Sequence, residues 1–139
     1  MSITDRNVDR ALLVLRFAVA FTFFAHGSVK LFAMGHDNVT SFFGSVGIPL
    51  PGLAAWGVAL LEFGGGLALM AGMFTRVLAA LFVVNMLAAI GFVVHSNGFV
   101  GGYELEFLLA AGSLSLALAG GGAYALDARR AAPAANATE

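Results

Sequence analysis

Three residues of this sequence, Lys30, Glu62 and Glu104, place a charge in or beside stretches that are otherwise apolar. A charged side chain at the centre of a membrane helix costs about 2.5–3.5 kcal/mol on insertion scales, so it is normally retained for pairing or for function. Glu62 lies about nine residues into its apolar stretch, or about 13 Å deep at about 1.5 Å of rise per residue. Its short side chain cannot reach an interface from there. We therefore expect Glu62 to be paired, protonated or lining a wet cavity.

Two histidines extend this set of residues. His26 and Lys30 are four residues apart and so share one helix face. His95 and Glu104 end and begin neighbouring apolar stretches, which places both in the same half of the membrane as Lys30. Histidine and carboxylate side chains are the usual groups for proton exchange. We predict one polar layer in which His26, Glu62 and Glu104 have catalytic roles, and a ligand-binding set made up of His26, Lys30, Glu62, His95, Glu104 and Arg16.

The fourth apolar stretch carries two acids whose predicted orientations differ. Glu104 shares a helical face with Ala111 and Ser115, and small residues favour close helix contact. The pattern therefore predicts that Glu104 points inward, whereas Glu106 points to water or headgroups.

Structural explanations stand beside the functional ones. Arg16 and Lys30 are each about one turn from an interface and can extend to it, or can pair with Glu62 or Glu104. His26 and His95 can be interhelical hydrogen-bonding residues, or can ligate haem b. Asn85 is typical of interhelical hydrogen bonding. No metal site is predicted.

The elements that position these residues are membrane helices. Of the 139 residues, 60% are hydrophobic and 11% charged, against about 45–50% and about 25% in soluble domains. Stretches of about 20 apolar residues span a bilayer. The sequence contains four of them, at 12–32, 53–73, 77–95 and 103–124. We predict an all-α bundle of four transmembrane helices.

Arginines outside these stretches orient the bundle. All of them fall on the N-terminal side, here called side A, and none in the loops of the opposite side, side B: Arg6, Arg10, Arg76, Arg129 and Arg130. The positive-inside rule makes side A cytoplasmic and predicts that both termini lie there. The apolar loop 33–52 is expected to lie against the membrane on side B. Residues 1–127 form one domain in this prediction, and 128–139 form a disordered cytoplasmic tail.

Composition excludes several classes of function. The net charge of −1 and the absence of a basic stripe argue against nucleic-acid binding. The chain has no Cys, which excludes disulfide scaffolds, thiolate metal sites and cysteine nucleophiles.

The sequence resembles the DoxX family of small bacterial and archaeal membrane proteins with four helices. The likeness rests on an ordered set of residues and short segments that begins at Arg16 and ends at Asp127. The segments are 26–31 (HGSVKL), 47–49 (GIP), 62–67 (EFGGGL), 72–76 (GMFTR), 98–99 (GF), 103–104 (YE) and 120–127, which ends in LD, and the single residues between them are Met86 and His95. Glu106 falls where the family usually has no acid.

The resemblance implies a quinone-linked role in the inner membrane of a bacterial cell. Related proteins are associated with quinone oxidoreductases and oxidative-stress complexes, so a quinone, a redox partner protein and a homo-oligomer are the implied partners, besides the lipid bilayer. No covalent cofactor is implied. We expect a redox-associated subunit that binds quinone or a similar lipophilic molecule in the side B leaflet. The alternatives are a structural anchor for another enzyme and a small-molecule or proton-coupled transporter.

Overall fold

A computed structural model describes residues 3–131 and contains four helices long and apolar enough to cross a membrane. Together with two shorter helices, they are α1 (Ile3–Met34), α2 (His36–Ser45), α3 (Pro51–Ala71), α4 (Thr75–Asn97), α5 (Phe99–Ala119) and α6 (Leu126–Ala131). The predicted four-helix membrane fold is confirmed. The first helix begins well before residue 12, because the polar N-terminal residues continue the same helix.

The outer surface of the bundle is apolar. Large side chains such as Val84, Phe107 and Leu118 are more than half exposed. In a soluble protein such a surface would be an aggregation hazard, whereas in a bilayer it contacts acyl chains.

Phe23 on α1 and Phe82 on α4 lie at the centre of the core. Their rings stack with centroids 3.8 Å apart, and both side chains are fully buried. Leu69 of α3 and Leu116 of α5 complete this layer. All four membrane helices therefore contribute to one core.

Glycines permit the close crossing of α1 and α3. A Cβ on Gly27 would lie 2.3 Å from the backbone nitrogen of Phe63, and one on Gly66 would lie 2.7 Å from that of Phe24. Within the run of three glycines at 64–66, Gly66 therefore makes the close contact with α1, whereas no other part of residues 3–131 lies close to the Cβ position of Gly64.

The loop 33–52 forms α2 and packs on the bundle. Val39 and Phe43 are buried against Ala55 of α3. His36 fixes the start of α2, because its ring stacks on Trp56 with centroids 4.7 Å apart and its Nε2 lies 3.0 Å from the carbonyl oxygen of Gly52. The loop thus covers one end of the bundle.

Several helical turns in α1, α3 and α4 are wider than an α-helix. π-helical turns span Val29–Met34, Leu61–Gly65 and Ile90–Val94. Such turns are often found at functional sites. Two of them hold the charged residues Lys30 and Glu62.

The C-terminal helix α6 differs from the predicted tail. Residues 126–131 are helical, so the predicted boundary at 127 falls inside a helix. The rest of the predicted disordered tail, 132–139, lies outside the described residues.

Candidate functional site: a polar-ended cavity at one end of the bundle

Lys30, Glu62 and Asn85 form a network across three helices. Lys30 Nζ lies 2.5 Å from Glu62 Oε2, and Asn85 Nδ2 donates to Glu62 Oε1 at 3.0 Å. The side chain of Glu62 is only 4% exposed and that of Lys30 19%. Both oxygens of this deep carboxylate are therefore partnered, which agrees with the expectation that Glu62 is paired and that Asn85 joins two helices.

Backbone geometry brings the pair together. Gly27 lies one turn before Lys30 and lets α1 approach the backbone of α3 at Glu62 and Phe63. A larger residue at 27 would separate the two helices at the level of the ion pair.

A cavity of about 450 Å³ opens beside this network. Its walls are mainly apolar and come from all four membrane helices and the loop: Phe23, His26, Lys30, Phe42, Phe43, Ile48, Pro49, Ala54, Val58, Glu62, Asn85, Met86, Ala88, Ala89, Phe92, Val93, Leu105, Glu106 and Leu109. This volume is in the range of cavities that hold small organic ligands. The polar groups His26, Lys30, Glu62, Asn85 and Glu106 face it from four different helices.

The predicted orientation of the two acids on α5 is wrong. Glu106 lines the cavity, and its Oε2 is buried without a hydrogen-bond partner among residues 3–131. Glu104 is exposed and does not line the cavity. The reason is that α5 packs through Ser113 and Leu116, which are fully buried, and not through its stripe of small residues.

The two histidines are not brought together. His26 lines the cavity, whereas His95 lies in a 3₁₀ turn at the end of α4, is exposed and is absent from the cavity wall. This placement does not fit one haem held by both rings. Among residues 3–131, no three His, Asp or Glu side chains are grouped so that they could hold a metal ion.

Arg16 lies outside the cavity. It is 2% exposed, and its Nη2 donates to the carbonyl oxygen of Tyr124 at 3.3 Å. Its Nε and Nη1 find no hydrogen-bond partner within the described chain. A Cβ on Gly72 would overlap the guanidinium, so the glycine makes room for it. Arg16, which the sequence analysis included in the ligand-binding set, is therefore not part of the cavity wall.

Asp127 organises the end of the bundle that holds Arg16. Its carboxylate accepts hydrogen bonds from the backbone nitrogens of Phe74 and Thr75 at 2.9 and 2.8 Å. Burial raises the pKa of Asp127, but these bonds outweigh burial and hold its pKa below the usual range. The carboxylate thus caps the start of α4 and fixes Phe74, whose φ of 51° is unusual for a residue other than glycine.

Comparison with known proteins assigns the family. The DoxX family model matches residues 11–96. The chain belongs to the DoxX family. It is 34% identical to "Putative oxidoreductase CatD" of Bacillus subtilis (strain 168), over 88% of this chain and 89% of that protein. No solved structure matches.

Other DoxX-type relatives are named as membrane proteins. The chain is 35% identical to "Inner membrane protein YqjF" of Escherichia coli (strain K12), over 86% of this chain and 91% of that protein. It is 33% identical to "Inner membrane protein YphA" of the same organism, over 85% and 89%. The family match begins within α1 and ends one residue before the end of α4, so it includes Lys30, Glu62 and Asn85 but not Glu106.

Proposed function

We propose that this DoxX protein binds a quinone, or a similar lipophilic ring, in the polar-ended cavity and serves a membrane redox system. The observation that carries the proposal is one cavity with aromatic and aliphatic walls whose polar groups include an ion pair. A ring with oxygen substituents needs both features, since its faces are apolar and its oxygens form hydrogen bonds.

The size and composition of the cavity suit such a ligand. A volume of about 450 Å³ accommodates a substituted ring. Phe23, Phe42, Phe43 and Phe92 line the walls, and aromatic side chains pack well against other rings.

The polar groups supply hydrogen bonds and protons. An ammonium has three N–H donors, and Glu62 uses one of those of Lys30. Within residues 3–131 the ammonium donates no other hydrogen bond, so its remaining N–H groups can bind a ligand oxygen. His26 faces the same cavity, and an imidazole exchanges protons near neutral pH. Glu62 holds Lys30 in place and balances its charge.

The cellular setting is part of the proposal. CatD carries an oxidoreductase name, and YqjF and YphA carry inner-membrane names. The arginines of side A favour a cytoplasmic location for both termini, which puts the cavity in the periplasmic leaflet of the inner membrane. In this role the chain binds the ring, and a partner protein or a soluble substrate supplies the electrons.

Cavity filling tests the proposal. The purified protein in mild detergent is titrated with tetramethyl-1,4-benzoquinone, whose fully substituted ring does not add to lysine, and binding is measured by calorimetry. Val58 lines the cavity and Leu60 on the same helix is 55% exposed. We expect Val58→Phe to weaken binding at least about tenfold, because the new ring occupies the ligand's place. Leu60→Phe is the matched control and should bind like the wild type.

A second variant keeps the proposal testable if Val58→Phe does not fold. Ala88→Phe fills the cavity from α4 instead of α3 and should have the same effect. Binding that is unchanged in both cavity variants would overturn the proposal. Mass spectrometry of small molecules that copurify with the protein gives an independent result. A stoichiometric partner protein without any bound ring would favour the structural-anchor alternative.

A further inference from the structure

Glu106, like His26, is a polar group of the cavity that lies outside the network of Lys30, Glu62 and Asn85. It projects from α5 into the space that Lys30, Glu62 and Asn85 also line. Its Oε2 is buried and accepts no hydrogen bond from residues 3–131. A buried polar atom without a partner destabilises a structure unless a ligand or water satisfies it.

The chemistry of this group restricts what can satisfy it. Lys30 and Asn85 each donate one hydrogen bond to Glu62, and within residues 3–131 neither of them donates to Glu106 Oε2. An ionised carboxylate is only an acceptor. Glu106 also lies in the first turn of the regular part of α5, where the helix dipole favours negative charge. The group therefore requires a hydrogen-bond donor inside an apolar cavity.

We propose that Glu106 makes the cavity selective for the reduced, hydroxyl-bearing form of its ring ligand. The inference rests on the proposed function and adds the chemical form that is bound. A ring hydroxyl donates a hydrogen bond to Oε2, whereas the carbonyl of the oxidised quinone has no proton to donate and meets the carboxylate with like partial charge. Glu106 is thus a specificity-determining residue, and the ion pair of Lys30 and Glu62 is available to the other end of the ring.

Selectivity of this kind has a redox consequence. A site that binds the reduced form more tightly than the oxidised form raises the reduction potential of the bound couple. For a two-electron couple, a tenfold preference corresponds to about 30 mV. The protein would then retain the hydroquinone and release the quinone.

The experiment compares three ligands that share one carbon skeleton. Tetramethylhydroquinone, tetramethyl-1,4-benzoquinone and 1,4-dimethoxytetramethylbenzene are titrated anaerobically into the purified full-length protein. Because hydrogen bonds to charged acceptors are stronger than neutral ones, we expect the wild type to bind the hydroquinone at least about tenfold more tightly than the quinone. The dimethoxy compound has no hydrogen-bond donor, so it should also bind at least about tenfold more weakly than the hydroquinone.

Two substitutions at Glu106 test whether the selectivity depends on its carboxylate as a hydrogen-bond acceptor or on the shape of the cavity. Glu106→Leu removes the acceptor, and the preference for the hydroquinone should fall below about threefold. Glu106→Gln introduces an amide donor, so quinone binding should strengthen relative to the leucine variant. Glu104→Gln is the matched control on the same helix, is exposed, and should keep the wild-type preference.

Each outcome decides between the two proposals. Equal binding of quinone and hydroquinone by the wild type, or a preference that survives Glu106→Leu, overturns the selectivity while cavity binding stands. If no ligand gives saturable binding, both proposals fail. Should the leucine variant fail to fold, Glu106→Gln provides the test, because an unchanged preference for the hydroquinone in that variant would overturn the role of the Glu106 carboxylate.

Discussion

Lys30 on α1 and Glu62 on α3 form an ion pair 2.5 Å long, and each of the two residues lies in a π-helical turn. Asn85 on α4 holds the second oxygen of Glu62. The pair therefore joins three helices and at the same time faces the cavity. Stability and ligand binding depend on the same carboxylate, so substitutions there must be tested for both.

Glu62→Gln should destabilise the protein. The substitution removes the negative charge and leaves the Lys30 ammonium, which is 19% exposed, without its partner. Removing one partner of a buried ion pair costs about 3–5 kcal/mol of stability. Because Lys30 is partly exposed, we expect the free energy of unfolding to fall by at most about 3 kcal/mol. Reversible unfolding in mixed detergent micelles measures it.

A double variant tests whether the loss of stability in Glu62→Gln arises from the direct interaction between Lys30 and Glu62. Lys30→Met combined with Glu62→Gln removes both charges, and we expect it to recover at least about half of the loss, because no unpaired charge remains. A double variant as unstable as the sum of the single variants would contradict a direct pair.

Gly27→Ala should weaken the packing of α1 against α3. The added methyl would overlap the backbone of Glu62 and Phe63, and overpacking of this kind costs about 1–3 kcal/mol. Gly64→Ala is the control, because nothing lies within 4 Å of its Cβ position. It should change the free energy of unfolding by less than about 1 kcal/mol. Equal losses in both variants would contradict the close crossing.

Asp127→Asn should remove a pH-dependent contribution to stability. The pKa of Asp127 is depressed by its hydrogen bonds to Phe74 and Thr75. The ionised carboxylate therefore stabilises the folded state above the unfolded pKa of about 3.9, and this contribution is lost as the pH falls through the lower folded pKa.

The loss for Asp127→Asn at neutral pH should be about 1 kcal/mol, the usual value of a helix cap, and it should shrink below about pH 4. Unfolding curves at several pH values test this. Asp37→Asn, at a fully exposed carboxylate, is the control. A difference between wild type and Asp127→Asn that grows in acid would be the wrong sign.

Arg16→Met should be tolerated better than Arg16→Lys. The guanidinium is buried, and Tyr124 accepts its single hydrogen bond within residues 3–131. Methionine has a similar length without the charge, so the change should stay within about 1 kcal/mol. Lysine keeps the charge but lacks the reach, and should cost about 2 kcal/mol. The opposite order in detergent unfolding would indicate that the attraction between Arg16 and the nearby Asp127 stabilises the protein more than burial of the charge destabilises it.

The depth of Glu62 in its apolar stretch was sufficient to single it out as a residue of the candidate site. Helical periodicity was sufficient to place His26 and Lys30 on one face of α1. A carboxylate far inside an apolar stretch has few inexpensive environments, so the sequence reduced the choice for Glu62 to pairing, protonation or a wet cavity, and the structure shows the pair with Lys30. The i, i+4 spacing of His26 and Lys30 placed both on the cavity wall. Neither inference required knowledge of how the helices pack.

The orientation of α5 could not be predicted in the same way. The helix has small residues on two of its faces, one with Ala111 and Ser115 and one with Gly112 and Ser113, and either face can form the contact in a membrane. Packing against Val19 and Leu15 selects the face with Gly112, which is also the face of Ser113 and Leu116. In hindsight the spacing of Glu106, Leu109, Ser113 and Leu116 marks that face, at three, seven and ten residues. The contact face of α5 depends on the shapes of α1 and α4, and the sequence of α5 alone does not specify those shapes.

The π-helical turn at Leu61–Gly65 also bears on how distant sequences should be compared. A π-helical turn contains one residue more than an α-helical one, and each residue advances an α-helix by about 100°. A relative that lacks this extra residue would have the second half of α3 in the same register only if its alignment opened a one-residue gap here. Without that gap, residues after the turn would be aligned with residues that lie about 100° further round the helix, and an apparently matching residue there would mislead.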